Sequence, residues 1–337
     1  MRRWLGIAIV AVAVLGLAAC LEQTGPGQPG KLPPAPHRDG DEIVIAGQYI
    51  HTGTPVVLWI DRGGYNAYTG EPRVVTPTAV PRPRSAIPTT RFAQRDPDNL
   101  RITAAERAQV TRDGWSLPLL RDAVDQFVIH YDETGVSRHC FAALCRRGLS
   151  VHFMLDLDGT IYQTLDVREK AWHATIANDR SVGVEIANVG AYTPGQDQPL
   201  ASWYRRDPVG WRVVVPPALG DGGMRTAGFV ARPAQENPAV GLVQGELLRQ
   251  FDFTPEQYRA LIHLTAALCT ALPRVRCDYP HDGSGELINH KLPNRELADY
   301  QGLLGHYHIQ TNKTDPGPAF QWATVVRGAL ALMPPQP

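Results

Sequence analysis

Short apolar runs along the chain predict a set of β-strands. The runs are rich in β-branched residues, and several alternate apolar with polar positions. The predicted strands are Glu42–Ile45, Pro55–Ile60, Phe127–His130, Val151–Leu157, Ile161–Thr164 and Ser181–Asn188. Asp158-Gly159 separates two of these runs, and an Asp-Gly pair at such a place predicts a hairpin.

A helix with a clear start signal follows the strands. Thr254 precedes Pro255 and lies three residues before Gln257, which is the pattern of a capping box with proline in the first turn. Apolar residues then recur every three or four positions, and this spacing predicts a core-packed helix over 255–272. Another helix is predicted near 295–304. The mixture of strands and helices indicates an α/β domain.

Proline- and glycine-rich stretches divide the chain of 337 residues. Residues 20–37 have almost nothing to bury and predict a semi-extended tether. We interpret 38–115 as an N-terminal extension that packs on a main domain over 116–330. Within that domain, 191–253 has the composition of a long insertion.

The first residues have the pattern of an export signal. Arg2 and Arg3 precede an apolar run from Trp4 to Ala19, which is short for a membrane-spanning helix. The run ends in Leu-Ala-Ala-Cys, which resembles the lipobox of bacterial lipoproteins, with Cys20 as the acylated residue. We therefore interpret 1–19 as a lipoprotein signal peptide. The alternative is a plain membrane anchor with a chance cysteine.

Charge and composition narrow the function classes. The chain has 33 basic and 33 acidic side chains, and this balance argues against a nucleic-acid partner. A hydrophobic content of 43% with 20% charged residues is typical of a globular protein and too apolar for a disordered one.

One carboxylate stands inside a predicted strand. In Ser181–Asn188 the alternation places three β-branched residues on one face, and Gly183 and Glu185 on the other. A carboxylate there either faces solvent or is desolvated in a site. The small Gly183 leaves room beside it, which suits the floor of a cleft.

The segment 305–317 is the richest in candidate chemistry. It carries His306, His308, Lys313 and Asp315 on one loop that ends in Pro-Gly. Imidazole nitrogens and a carboxylate are suitable zinc ligands, and a catalytic zinc ion keeps three protein ligands and one open position. His130, at the end of a predicted strand, is a further candidate. The alternative is a polar surface loop, since no HExxH or paired CxxC motif is present.

Six segments occur in a characteristic order along roughly residues 125–325. They are VIHYDETG, SVHFMLDLDGTIYQ, AWHA, NDRSVGVEIAN, FTPEQYRAL and GHYHIQTNKTDPGPAFQW. Together they resemble the bacterial N-acetylmuramoyl-L-alanine amidases of the type 2 amidase family, which are relatives of the animal peptidoglycan recognition proteins. The resemblance implies a central mixed β-sheet flanked by helices.

The resemblance also implies roles for individual residues. The implied zinc ligands are His130, His306 and Asp315, the catalytic residues are Glu185 and Lys313, and the residues lining the substrate cleft are His173 and Asn178. His152 is expected to be structural. Val151 stands where some members of the family carry a catalytic tyrosine, so that role passes to Glu185. His308 stands where the family often has aspartate, which leaves His308 as an alternative ligand.

The implied activity is zinc-dependent hydrolysis of the amide between N-acetylmuramic acid and L-alanine in peptidoglycan or muropeptides. Glu185 would act as general base and Lys313 would stabilise the oxyanion. We expect an exported, monomeric lipoprotein on the outer membrane, facing the periplasm. The alternatives are a non-catalytic peptidoglycan-binding protein, which predicts a lost metal ligand, and a structural tether of the envelope, which predicts a plugged cleft.

Four further cysteines fit an exported protein. An even number in an oxidising compartment favours local disulfides, and the recognition-protein branch carries a nearby pair at the first position. The expected pairs are Cys140–Cys145 and Cys269–Cys277.

We predict that Cys20 becomes the lipid-modified N-terminus of the mature protein. Labelling with a fatty-acid analogue should mark the wild type and should miss Cys20→Ser, because only the thiol of Cys20 follows the apolar run. Equal labelling of both proteins would contradict the interpretation.

Overall fold

A computed structural model describes residues 29–32, 37–69 and 91–335. The predicted signal peptide 1–19 and Cys20 lie outside these ranges. Among the described helices, none is long and apolar enough to cross a membrane.

The described ranges contain short strands and helices that mostly alternate after residue 116. The strands are β1 (Glu42–Ile45), β2 (Gln48–His51), β3 (Val56–Leu58), β4 (Phe92–Gln94), β5 (Gln126–Tyr131), β6 (Phe153–Leu155), β7 (Ile161–Gln163), β8 (Glu169–Ala171), β9 (Ser181–Ile186), β10 (Tyr204–Asp207), β11 (Gly210–Val213), β12 (Ala239–Val243), β13 (Glu246–Gln250) and β14 (Gly302–Gly305). The helices are α1 (Ala104–Asp113), α2 (Leu117–Ala123), α3 (Ser137–Arg147), α4 (Gln198–Trp203), α5 (Pro255–Ala271), α6 (Asn294–Asp299) and α7 (Trp322–Leu332).

The central element is a six-stranded sheet in the order β14-β5-β9-β6-β7-β3. The pairs β14–β5, β5–β9 and β9–β6 are parallel, β6–β7 is an antiparallel hairpin, and β7–β3 is parallel. The predicted class, a central mixed sheet flanked by helices, is confirmed.

One face of this sheet packs against two long helices. The buried cluster on that face joins Phe127, Ile129, Val182, Val184 and Ile186 of the sheet to Leu261, Leu264 and Leu268 of α5 and Trp322 and Val325 of α7. The predicted alternation of β9 is therefore confirmed, since its β-branched residues lie in the core. Its other face, with Gly183 and Glu185, looks away from α5.

The N-terminal extension is part of the fold. Its strand β3 forms one edge of the central sheet beside β7. The Gln163 side chain accepts a hydrogen bond from the Val44 amide at 2.7 Å and donates one to the Val44 carbonyl at 2.8 Å, so it extends the backbone pairing to β1. These contacts join the described part of 38–115 to the central sheet, and the division of the chain into domains stays a prediction.

The insertion also contains regular structure that the sequence did not reveal. It holds two hairpins, β10–β11 and β12–β13, and a bridge between Tyr192 and Arg249 joins the second hairpin to the start of the insertion. Such short strands are stabilised by tertiary packing rather than by their own propensity.

The helix predicted near 295–304 is only partly correct. Helix α6 ends at Asp299, and Gly302–Gly305 is instead the edge strand β14, paired with β5. A short apolar run such as Leu303-Leu304 does not distinguish a buried strand from a helix, so the partner strand decides.

The expected disulfide Cys140–Cys145 is not formed in this structure. Both cysteines lie on α3 and are free and buried. Five residues advance a helix by about 7.5 Å along its axis, which is too far for a disulfide between ideal helical positions. Cys269 and Cys277 are also free, but their thiols lie close enough to shift each other's pKa, so their pairing stays a prediction.

We predict that the α5 capping box contributes measurably to stability. The buried Thr254 hydroxyl accepts from the Gln257 amide at 3.0 Å and donates to the Leu157 carbonyl at 2.8 Å, which ties the helix to the β6–β7 turn. Thr254→Ala should lower the free energy of unfolding by roughly 1–3 kcal/mol in urea titrations. Thr254→Ser keeps the oxygen and should lose less, and equal losses in both variants would contradict this role.

Candidate metal centre and catalytic site

Three parallel strands end at one edge of the sheet, and each brings a polar side chain there. His130 pairs in register with Glu185 of β9, and Gly305, the last residue of β14, pairs with Ile129 of β5. His306 follows directly after β14. Ligand sites in open α/β sheets form at this carboxyl edge of the strands.

Three donor atoms converge at this edge. The Nδ1 atom of His130 lies 3.1 Å from Nδ1 of His306 and 2.7 Å from Oδ2 of Asp315. The same Oδ2 lies 3.1 Å from Nδ1 of His306. All three residues are buried.

The spacing of these atoms fits a zinc ion. Bonds of 2.0–2.1 Å in tetrahedral geometry place neighbouring donor atoms about 3.3 Å apart, close to the three distances here. Two imidazoles and one carboxylate leave a fourth position for water or substrate, as in catalytic zinc sites. The three residues that the family resemblance implied as zinc ligands are the three that the structure places close together.

The outer nitrogens of both histidines have hydrogen-bond partners, and the partner of His306 assigns its proton. Nε2 of His306 lies 2.7 Å from Oε1 of Gln310, to which it donates. Nε2 of His130 lies 3.1 Å from Nδ1 of His173, whose own Nε2 is 3.2 Å from the Ser181 hydroxyl. With protons on the outer nitrogens, three acceptor atoms face one another, an arrangement that a cation stabilises.

Gly183 makes room for one of these outer partners. A Cβ atom at this position would lie 2.5 Å from the His173 ring. The sequence indicated that Gly183 leaves room beside Glu185. In the structure the His173 ring lies next to Gly183. The structure thus places His173 directly behind His130, and its role in binding substrate stays a prediction.

Electrostatics keep His130 and Asp315 in the forms that bind metal. Burial, followed by the neighbouring His306, lowers the pKa of His130 to about 4, so its imidazole is neutral at neutral pH. Burial by itself would raise the pKa of Asp315, but the two histidines outweigh it and lower that pKa far below its ordinary value. Asp315 is therefore ionised.

Glu185 lies beside the three donors without being one of them. Its carboxylate makes no hydrogen bond or ion pair within the described part of the chain, and part of its surface is exposed. The surrounding protein still desolvates the carboxyl, which raises its pKa well above the ordinary value, and Asp315, Asp132 and Glu133 add to the increase. Lys313 acts in the opposite direction.

Lys313 and Asn178 occupy different surroundings. Lys313 is partly exposed on the loop between His306 and Asp315, close enough for its charge to affect both His130 and Glu185. Asn178 is buried, and its Oδ1 accepts from the amides of His173 and Ala174 at 3.1 and 2.7 Å. These bonds hold the His173 loop, while contact of Asn178 with substrate stays a prediction.

His308 and His152 are both fully buried away from the donor triangle. Nδ1 of His308 accepts from the Gly305 amide at 2.8 Å, and its Nε2 donates to the Ile288 carbonyl at 2.6 Å. His152 accepts from the Gly183 amide at 3.1 Å and donates to the Glu169 carbonyl at 3.0 Å. Both rings therefore support backbone segments of the site.

Gln310 is a residue of this site that the sequence analysis does not identify. It lies four residues after His306, within the loop already singled out, so a search for partners of the ligands near in sequence would have found it. An uncharged amide carries no catalytic signature by itself.

The chain resembles known proteins over part of its length. Residues 120–215 match the model of the family described as N-acetylmuramoyl-L-alanine amidase. This segment contains His130, His173 and Glu185, and the match confirms the resemblance to that family for this part of the chain. No curated protein sequence matches.

Solved structures with a similar arrangement are remote. A selenomethionine derivative of AmpD is 17% identical, with a TM-score of 0.32 over 77% of this chain and 97% of its own. AmiD from E. coli, in complex with the substrate anhydro-N-acetylmuramic acid-L-Ala-D-gamma-Glu-L-Lys, is 18% identical, with a TM-score of 0.33 over 61% of this chain and 57% of its own. The endolysin LysCS from Clostridium intestinale URNW is 15% identical, with a TM-score of 0.30 over 60% and 80%.

We predict that His306, and not His308, is needed to bind zinc. His306→Ala removes one of three converging donors and should abolish most binding, whereas outer-contact changes typically cost 10–100-fold in affinity. His308→Gln should keep zinc while lowering thermal stability, because it disturbs a buried support of the backbone. Atomic absorption on folded, dialysed proteins measures this, and full zinc content in His306→Ala would reverse the assignment.

Proposed function

We propose that this protein is a zinc-dependent amidase that hydrolyses the bond between N-acetylmuramic acid and L-alanine in peptidoglycan or its fragments. The observation that carries the proposal is the triangle of His130, His306 and Asp315 with Glu185 in register beside it. The family match over 120–215 supports the class of substrate.

The three donors would hold the ion, and Glu185 would move the protons. When bound, zinc supplies Lewis-acid chemistry that activates water and polarises a carbonyl oxygen. The Glu185 carboxylate takes the proton of the attacking water and delivers it to the nitrogen of the leaving L-alanine. A carboxyl whose pKa is raised by burial is suited to hold that proton between the two transfers.

Lys313 would stabilise the negative charge that develops on the substrate during the reaction. Its ammonium group stands on the loop that joins His306 to Asp315 and faces the site closely enough to affect the pKa of Glu185. Negative charge that develops on the scissile carbonyl oxygen is stabilised by such a fixed cation.

We also propose that the protein acts at the cell envelope as an exported lipoprotein. The support is the Leu-Ala-Ala-Cys segment at Cys20 and the proline-rich stretch that follows it. This tether would let the catalytic domain reach peptidoglycan from a lipid surface.

We predict that Glu185→Gln keeps the fold and bound zinc but loses turnover. Removing a general base typically costs 10²–10⁴-fold in rate, and the amide is close in shape to the carboxylate. Mass spectrometry of murein digests, with and without a chelator, measures the cleaved bond, and zinc content is measured on the same samples.

Glu133→Gln is the matched control for that experiment. It removes a nearby, exposed carboxylate and should retain most of the activity.

A wild type that binds muropeptide without cleaving it would favour a binding protein. Equal rates for wild type and Glu185→Gln would refute the role of Glu185, and loss of zinc from Glu185→Gln would make it a ligand.

A further inference from the structure

The hairpin β12–β13 ends in an unusual turn. Val243 and Glu246 are paired, and the two residues between them, Gln244 and Gly245, have φ angles of 56° and 80°. A two-residue turn with both central residues in the left-handed region strongly favours Asn or Gly over other residues. A glutamine there indicates that its side chain has a use which offsets the unfavourable backbone conformation.

The Gln244 side chain reaches the loop that carries two of the three proposed ligands. Its Nε2 donates to the carbonyl oxygens of Tyr307 and Gln310, each at 2.8 Å, and lies 3.4 Å from that of Lys313. Its Oε1 accepts from the Lys291 amide at 3.2 Å. Both ends of one amide are thus used, which makes Gln244 a bridge between backbone segments.

These three carbonyls span the loop from His306 to Asp315. The residue in the middle of them, Gln310, accepts the outer proton of His306. The backbone of the same loop closes on itself, since the Tyr307 amide donates to the Asp315 carbonyl at 3.2 Å. A side chain that holds the Gln310 backbone therefore also holds the group that orients His306.

We propose that Gln244 is a positioning residue for the metal centre, through which the insertion 191–253 keeps the 306–315 loop in its ligand-binding shape before metal arrives. The inference rests on the proposed function, because it assumes that the donor triangle binds zinc. It assigns part of the long insertion to the chemistry of the site.

Three variants separate the side chain from the turn. Gln244→Gly removes the bridge and suits the left-handed backbone. Gln244→Glu keeps the shape but replaces the donor by a carboxylate that faces three carbonyl oxygens. Gly245→Asn changes the same turn, tolerates the left-handed conformation, and has open space around its side chain.

The first measurement uses the metal-free protein. Hydrogen exchange of the Tyr307, Ile309 and Gln310 amides should accelerate in Gln244→Gly and Gln244→Glu, with no change in α5 or in the Gly245→Asn control. Unchanged exchange in this loop would overturn the proposal. This measurement requires neither zinc nor turnover, so it stands apart from the proposed function.

The second measurement is zinc affinity by competition with a chelator. Gln244→Gly should bind on the order of tenfold more weakly than wild type, at the lower end of the range for groups that support ligands, and Gln244→Glu at least as weakly. Gly245→Asn should match wild type. Faster loop exchange with unchanged zinc affinity would show a merely structural role and overturn the proposal. A wild type without zinc affinity would instead contradict the proposed function.

Discussion

Parallel pairing of β5 with β14 on one side and β9 on the other is the constraint on which the site depends. His130, His306 and Glu185 come from segments far apart in the sequence, and only the common direction of these strands brings them to one edge. A shift of one residue in either pairing would turn a functional side chain toward the apolar face, because side chains alternate along a strand. The packing of the opposite face against α5 and α7 therefore also specifies the chemistry of this face.

The centre concentrates groups that are costly to bury. Three acceptor atoms meet within 2.7–3.1 Å of one another in a buried position, and a carboxylate without a hydrogen bond to the described residues lies next to them. Buried polar groups are normally paired, so the arrangement is stable when the surrounding protein holds each ring in place and a cation neutralises the acceptors. Gln310 and the His173–Ser181 pair hold the two imidazole rings in place.

The N-terminal extension and the insertion both contribute contacts to the fold and to the candidate site. The extension provides an edge strand of the central sheet and is tied to it through Gln163. The insertion reaches back to the 306–315 loop through the tip of β12–β13. Some contacts that support the sheet and the candidate site therefore come from residues outside 120–215, the segment that matches the family model.

The sequence by itself determined the features that depend on neighbouring residues. The capping box of α5, the hairpin at Asp158-Gly159 and the two-faced pattern of β9 are local, and all are present. Motif order also identified the donors that meet in space, because the family resemblance carries tertiary information that spacing alone lacks. Only the tertiary structure decided that Gly302–Gly305 is a strand, that α3 separates Cys140 from Cys145, and that His308 supports the backbone. Each of these outcomes depends on a partner distant in sequence or on exact helical geometry, and local pattern contains neither.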